Sequence, residues 1–252
     1  MKQVLLGLSA SAFLGAAIPA SSALEDLERL AVIRLAAPLE HVQGIDVEGD
    51  SLWVSSVDRD AKRGYVHLFD LLSGKLRAQA SVGRGARFHP GGISLDGDSL
   101  WVPVAEYQRD SSSLVQRRHK RTLELQSEFL VEDHIGCVAA GATLIGGNWD
   151  SRILYEWTRA GRELRQRPNP TRNAYQDLKR VGDRWVASGK LSKDEGAIDW
   201  LDDSLVLVKR LATGKTDRGV LFTNEGMAIR DGTLYLLPED GPSRLFVFKL
   251  PR

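Results

Sequence analysis

The sequence predicts an all-β protein, a five-bladed β-propeller with four-stranded antiparallel blades and a ring closed by the N-terminal strand. Short runs of alternating apolar and polar residues are bounded by Gly, Asp, Asn and Ser, which is typical of strands joined by turns. One segment recurs five times, and its first three copies begin at His41, His89 and His134. A period of about 45 residues with four strands is typical of propeller blades.

Each unit has the same predicted order of strands. An apolar run forms the first strand, as at 45–47, and a Gly-Asp turn leads into the second strand, as at 52–57. Third strands are predicted at 65–69, 153–157 and 245–248, and a Gly-containing turn leads from the third strand to the fourth. Large aromatic residues recur at one position in the second strand and indicate packing between blades: Trp53, Trp101, Trp185 and Tyr235.

The two ends of the chain complement each other. The fifth unit finishes with its third strand at 245–250, whereas residues 29–35 form a spare strand before the first unit. Pairing these two strands closes the ring. Closure removes two unpaired sheet edges, which would otherwise promote aggregation.

The second unit is the least regular. Pro103 lies in its second strand and cannot donate a backbone hydrogen bond, so we expect either an early strand end or a bulge. The polar tract 110–121 also leaves the boundaries of this blade open. Its basic part, 116–121, is interpreted as a solvated turn, and the alternative is a site for an anionic partner.

Residues 1–23 have the pattern of a secretory signal peptide. Lys2 precedes an apolar stretch, and small residues at Ser21 and Ala23 fit a cleavage site. The alternative is an uncleaved membrane anchor, which needs about 20 apolar residues, and this stretch is shorter. We therefore predict a periplasmic or secreted protein whose mature part, 24–252, is a single propeller domain without a membrane span.

Charge and cysteine content exclude several classes of function. The chain has 34 Lys and Arg against 33 Asp and Glu, so no basic excess indicates a nucleic-acid partner. Cys137 is the single cysteine, which excludes an intrachain disulfide and a thiolate zinc site, and its apolar neighbours predict burial. The sequence contains no HExxH, GxSxG, phosphate-binding loop or dinucleotide fingerprint. We expect a monomer whose site is set by the geometry of the fold.

Candidate site residues follow from that geometry. The loop into the first strand and the loop after the second strand open on one face, so their residues gather at one mouth of the channel. His41, His89 and His134 precede the first strand at equivalent positions, where the last two units have Ala174 and Thr223. Two residues further along, the five units have Gln43, Gly91, Gly136, Gln176 and Glu225. The ends of the second strands add Asp58, Glu106, Asn148 with Asp150, and Glu239 with Asp240.

We interpret this ring as a site for a small polar ligand. Its predicted ligand-binding residues are His41, Gln43, His89, His134, Asn148, Asp150, Gln176 and Glu225. Imidazoles with one carboxylate suit zinc, iron, copper or nickel better than calcium. One divalent metal ion would then be held by His41, His89, His134 and Glu225. The alternative is that the histidines only fix the loop into the first strand through backbone hydrogen bonds.

Three segments, at 89–93, 148–152 and 224–228, resemble those of exported bacterial β-propellers of uncharacterised function. The blade pattern is loosely similar to the streptogramin lyase, gluconolactonase and phytase-like esterase propellers. Gluconolactonase-type relatives coordinate a divalent ion through Glu, Asn and Asp. Glu225 resembles such a ligand, whereas the three histidines depart from the pattern.

Two functions remain open at this point. The first is an exported propeller that binds a small polar ligand or a protein partner at the channel mouth, with a metal ion as a further option. The alternative is a hydrolase or lyase of the gluconolactonase or streptogramin-lyase type, with a histidine or Glu225 as base. Trp149 lies on the same predicted mouth and is a candidate for stacking on a ligand.

Overall fold

The computed structural model describes residues 22–251, which form five sheets arranged as a ring around one axis. The predicted all-β architecture of five blades with four antiparallel strands is confirmed. Two short 3-10 helices, Leu24–Asp26 and Trp149–Ser151, complete the described secondary structure.

The strands are given in chain order. The N-terminal part contains β1 (Ser22–Ala23) and β2 (Arg29–Arg34). The first blade contains β3 (Val42–Glu48), β4 (Ser51–Asp58), β5 (Arg63–Asp70) and β6 (Leu76–Ser81). The second contains β7 (Arg87–Pro90), β8 (Ser94–Asp96), β9 (Ser99–Glu106), β10 (Ser113–His119) and β11 (Leu125–Val131). The third contains β12 (Ile135–Ala140), β13 (Leu144–Asn148), β14 (Ile153–Trp157) and β15 (Glu163–Pro168). The fourth contains β16 (Ala174–Val181), β17 (Arg184–Lys190), β18 (Gly196–Leu201) and β19 (Leu207–Thr213). The fifth contains β20 (Gly226–Arg230), β21 (Thr233–Leu237) and β22 (Arg244–Lys249).

The N-terminal strand closes the ring, as predicted. β2 pairs antiparallel with β22, so that Val32 lies opposite Phe246 and Ile33 opposite Leu245. The preceding strand β1 adds in parallel to β19 of the fourth blade. The N-terminal segment therefore connects the last two blades.

Pro103 does not end its strand. β9 continues through Pro103, which lies opposite Val115 of β10. The interruption falls on the inner strand instead, because residues 91–93 separate β7 from β8. There the Gly92 N–H donates to the Gly136 carbonyl of the third blade at 2.8 Å. Because Pro103 has no N–H group, it cannot donate a hydrogen bond to the inner strand. The inner strand instead forms some of its backbone hydrogen bonds with the third blade.

Five hydrophobic clusters lie between neighbouring blades. Trp53 of the first blade packs with Leu100 of the second, and Trp101 of the second packs with Ile135 of the third. Trp185 is buried in the cluster between the third and fourth blades. The aromatic residues that recur in the second strands therefore pack between blades, as the sequence predicts.

The predicted solvated turn at 116–121 is wrong. Most of this segment belongs to β10, and its alternation turns every second side chain inward. Arg118 is 7% exposed, and its guanidinium donates to the Leu123 carbonyl at 2.8 Å. The Lys120 carbonyl accepts the Trp53 indole N–H at 2.6 Å, so this segment joins the first two blades.

The first strands of the blades approach so closely that they close the channel below its mouth. A Cβ on Gly44 would lie 2.5 Å from the Gly92 Cα, and one on Gly91 would lie 2.0 Å from the Gly136 carbonyl oxygen. Only glycine allows backbones to approach in this way. The repeated glycines of the first strands are therefore required by packing around the axis.

A buried ion pair occupies the axis beneath these glycines. The Asp177 carboxylate accepts hydrogen bonds from the backbone N–H groups of Ile45 and Met227, each at 3.0 Å. The Lys179 ammonium donates to Asp177 and to the Ile93 carbonyl, the latter at 2.6 Å. Burial raises the pKa of the Asp177 carboxyl to about 6, while the Lys179 charge opposes that rise. One pair thus connects the first, second, fourth and fifth blades.

Two further predictions concern the thiol and the N-terminus. Cys137 is buried, as its apolar neighbours predict. Among the residues that the structure describes, no helix is long and apolar enough to cross a membrane. Residues 1–21 of the predicted signal peptide lie outside the described residues.

Deletion of residues 24–36 tests ring closure. The deletion exposes the edge of β22 and removes Ala31 and Ile33 from the cluster between the first and fifth blades. We expect aggregated protein or loss of a cooperative thermal transition. The control replaces Leu30 and Val32, which are 48% and 40% exposed, by Ser and keeps the strand. A deletion protein that melts cooperatively, like the control, would contradict closure by this strand.

Candidate functional site

A cavity of about 340 Å³ lies at the mouth of the closed channel and receives side chains from all five blades. The structure brings seven of the eight predicted ligand-binding residues to its wall: His41, Gln43, His89, His134, Asp150, Gln176 and Glu225. The eighth, Asn148, is elsewhere. Its side chain accepts from the Ile153 N–H at 2.9 Å and donates to Asp133 at 3.0 Å, so it supports the loop behind the cavity.

β-Bulges explain why the first strands present side chains to the mouth. The ladders of β3, β12 and β16 shift register at Gln43, Gly136 and Gln176. A bulge leaves its extra residue unpaired and redirects its side chain, and bulges are common next to binding sites. These are the positions that the alignment of the five units singles out.

The side of the cavity formed by the second and third blades is aromatic. The His89 ring lies 4.3 Å from the Tyr107 ring and 5.3 Å from the His134 ring, measured between centroids. His134 in turn meets Trp149 at 4.5 Å. An arginine lies over each end of this row, Arg59 over Tyr107 at 5.3 Å and Arg109 over Trp149 at 5.1 Å. Trp149 therefore contacts protein groups on two sides.

Burial keeps the histidines of this wall neutral. It lowers the pKa of His89 well below its usual value, and the neighbouring His134 and His41 lower it further. Burial also lowers the pKa of His134, against the raising effect of the Gln108 carbonyl. His89 Nε2 lies 3.0 Å from Gln43 Oε1, while its Nδ1 is buried without a hydrogen-bond partner among the described residues. His134 Nδ1 lies 2.8 Å from the Gln108 carbonyl. Of the three histidines, His134 is therefore the one whose ring bonds to the backbone, as expected if the histidines only fix the loops.

The opposite side, formed by the fourth and fifth blades, carries a buried carboxyl. Glu225 is 4% exposed, and its Oε1 accepts from the Asn224 amide at 2.7 Å. The Lys190 ammonium donates to the side-chain Oδ1 of Asn224 at 3.1 Å. Burial raises the pKa of Glu225 well above its usual value, and the Lys190 charge opposes that rise. Burial therefore favours the protonated form of Glu225, in which the carboxyl can donate a hydrogen bond.

The residues that fit a metal differ from the predicted set. Ligand atoms of His41, Glu225 and Glu239 lie within 4.8 Å of one another, and His41 Nδ1 is 2.5 Å from the Glu239 carboxylate. One imidazole and two carboxylates beside an open cavity suit zinc or a similar ion with a free coordination position. His89 and His134, both in the predicted set, are outside this group. Their rings are held instead by the amide of Gln43 and the carbonyl of Gln108.

The sequence hypothesis missed several groups on the wall. It chose Asp58 and Glu106 at the ends of the second strands. These residues bond instead to the Ala61 N–H at 2.8 Å and to the Ser112 hydroxyl at 3.0 Å. The groups that do reach the cavity include the residues one position later, Arg59 and Tyr107, together with Tyr175, Lys190 and Asn224. Arg59 and Tyr107 lie just past the last residues of β4 and β9, so strand periodicity did not locate them.

A zinc titration distinguishes the two metal sets. We expect Zn²⁺ at saturating concentration to raise the melting temperature by about 5–10 °C, as a ligand of the native state does. The rise should disappear in His41→Ala and Glu239→Gln, because each removes one of the converging ligands. His134→Ala is the matched control and should keep it. Loss of the rise in His134→Ala with retention in Glu239→Gln would favour the set predicted from sequence.

Comparison with known proteins adds to the fold and family. The Pan2 WD40 domain of Neurospora crassa is similar at a TM-score of 0.50 and 10% identity, over 93% of this chain and 98% of that one. BamB from Moraxella catarrhalis is similar at a TM-score of 0.48 and 10% identity, over 90% and 98%. The likeness to Pan2 bears on the propeller fold alone, and the resemblance to streptogramin lyase stays a prediction. No curated protein matches the chain.

Family membership is supported by a direct match. The model of a family of unknown function, DUF6454, matches residues 24–176, which is more than half of the chain. The matched region begins at the predicted mature N-terminus and contains the first three blades with their histidines. The chain therefore belongs to the DUF6454 family.

Proposed function

We propose that this protein binds a small polar ligand in the mouth cavity. The observation that carries the proposal is the convergence of polar side chains from all five blades on one concave space of about 340 Å³. Ligand sites are typically concave and range from about 300 to 1,000 Å³. The cavity is at the lower end of that range, so its ligand is small.

Two groups on the wall support binding. No described residue hydrogen-bonds to the buried Nδ1 of His89, and buried polar atoms are otherwise nearly always hydrogen-bonded. Burial favours the protonated form of Glu225, and in that form the carboxyl can donate to a ligand oxygen. A ligand that donates to His89 and accepts from Glu225 would satisfy both groups.

A protein partner at the mouth is less favoured. Among the described residues, the large apolar side chains that are exposed lie on or beside the outermost strands of the blades. They are Leu30, Val32, Leu72, Leu76, Leu125, Leu130, Leu164, Val206 and Val208. They are spread around the ring rather than gathered at the mouth, which lacks the apolar patch that marks many protein interfaces.

The pattern of residues 1–23 supports action in the periplasm or outside the cell.

A second candidate function is hydrolysis or elimination at the same site. His41 Nδ1 lies 2.5 Å from the Glu239 carboxylate, which places a candidate general base beside a carboxylate. Glu225, whose protonated form is favoured by burial, lies in the same cluster. A base and an acid on one ligand are what lactone hydrolysis or elimination requires.

A ligand panel tests both candidates. Glucose, gluconate, galacturonate, tartrate and glucono-lactone are added to the purified protein, and the melting temperature is measured. We expect at least one to stabilise the native state, and the shift to disappear in Glu225→Ala and Gln43→Ala. His119→Ala, which alters a histidine at the end of β10 outside the cavity, should keep the shift.

Two outcomes would contradict the candidates. If no compound stabilises the protein, or if the cavity variants respond like the wild type, binding at the mouth is wrong. Turnover of the lactone is followed by NMR in the same samples. Bound lactone that decays no faster than in buffer would contradict the hydrolase alternative and leave binding intact.

A further inference from the structure

A groove between the third and fourth blades adjoins the mouth cavity. This groove has a volume of about 660 Å³, and Asp150 and Lys190 line both spaces. Its walls come from three loops, at 150–152, 169–174 and 190–193. The two spaces therefore meet at Asp150 and Lys190, and a molecule longer than the mouth cavity can reach the groove past these side chains.

The groove is strongly basic. Its lining includes four cations, Arg152, Arg172, Lys190 and Lys193, against one acid, Asp150. That acid is already paired, since the Asp150 carboxylate lies 2.8 Å from the Arg109 guanidinium, outside the groove. Arg172 and Lys193 are exposed and form no ion pair with any residue that the structure describes. The groove thus has more positive charge than its own acid can balance.

The loops that carry the two unpaired cations are ordered by their own side chains. The side-chain Oδ1 of Asn169 accepts the Thr171 N–H at 2.9 Å, and the Asn173 side-chain amide donates to the Ala197 carbonyl at 3.1 Å. On the other side, the Ser192 hydroxyl accepts the Asp194 and Glu195 N–H groups. Arg172 and Lys193 are therefore presented from preorganised loops, which lowers the cost of binding a partner.

The residues at the junction have an unusual backbone. Asp150 and Ser151 have φ of +58° and +48°, in the left-handed region that few non-glycine residues adopt. The buried Ser151 hydroxyl donates to the Tyr175 carbonyl at 3.0 Å, which fixes this conformation against the fourth blade. The turn leaves Asp150 on the wall that the two spaces share.

From these observations we propose that the groove is a second subsite, and that the ligand is a short chain carrying two or more oxyanion groups. One unit of the chain occupies the mouth cavity, and an anionic group of the next unit binds Arg172 and Lys193. The proposal rests on the proposed function, because it extends the ligand of the mouth cavity. Carboxylates of an acidic oligosaccharide and phosphates of an oligophosphate share this chemistry.

Calorimetric titration with chains of different length tests the subsite. We expect trigalacturonate to bind at least about tenfold more tightly than galacturonate, because the second contact is intramolecular. Maltotriose has the same number of sugar units without charge and should bind no more tightly than glucose. Tripolyphosphate forms a separate arm. If tripolyphosphate binds and trigalacturonate does not, the oxyanion groups of the ligand are phosphates. If trigalacturonate binds and tripolyphosphate does not, they are carboxylates.

Charge reversal tests whether Arg172 and Lys193 are the groups that bind the longer chain. Arg172→Glu/Lys193→Glu should abolish the advantage of the longer chain and leave binding of galacturonate unchanged. The matched control is Arg34→Glu/Arg121→Glu, which reverses two exposed cations that are likewise without an ion pair among the described residues. High salt should reduce the chain advantage, because exposed charges are screened.

The outcomes separate the two proposals. If galacturonate binds through Glu225 but longer chains bind no better, or if the control variant loses as much as the groove variant, the subsite is wrong and the proposed function stands. If neither monomers nor chains of either class bind, both proposals fail.

Discussion

A single buried ion pair holds the axis of this propeller together. Asp177 and Lys179, on one strand of the fourth blade, bond to the backbone of Ile45, Ile93 and Met227 on three other blades. Together with the glycines packed around it, this pair closes the centre of the ring. A cavity with a polar floor is therefore present where an open pore would otherwise be. The mouth site depends on that floor, because Gln43, His89 and Gln176 of its lining lie on the same first strands.

The site is asymmetric around the axis, so different chemical groups line its different sides. Neutral imidazoles and aromatic rings lie on the side of the second and third blades, while the acid Glu225 lies on the fifth. His41 and Glu239 face each other where the first and fifth blades meet. Repeats that share a backbone thus differ at the few positions that face the mouth, as expected where a scaffold carries a site.

The sequence predicted the ring and its closure because strand periodicity, turn glycines and interblade tryptophans are local or repeated signals. It also located most of the mouth cavity, because His41, Gln43 and Glu225 occupy matching positions in their units. It missed Arg59 and Tyr107 by one residue, since the end of a strand cannot be read to that accuracy from periodicity. It gave no hint of Asp177 as the central acceptor, because that role depends on four strands meeting at one point.

The most direct measurement is the free energy of unfolding of Asp177→Asn by urea denaturation. The Asp177 side chain is fully buried, and neutralising it removes the only ion-pair partner that the buried Lys179 ammonium has among the described residues. We expect a loss of about 3–5 kcal/mol, as for other broken buried pairs. Asp203→Asn is the control, because Asp203 pairs with Arg180 at the surface and should cost less than about 1 kcal/mol. Equal, small losses in both variants would contradict the claim that this pair holds the blades and the site in place.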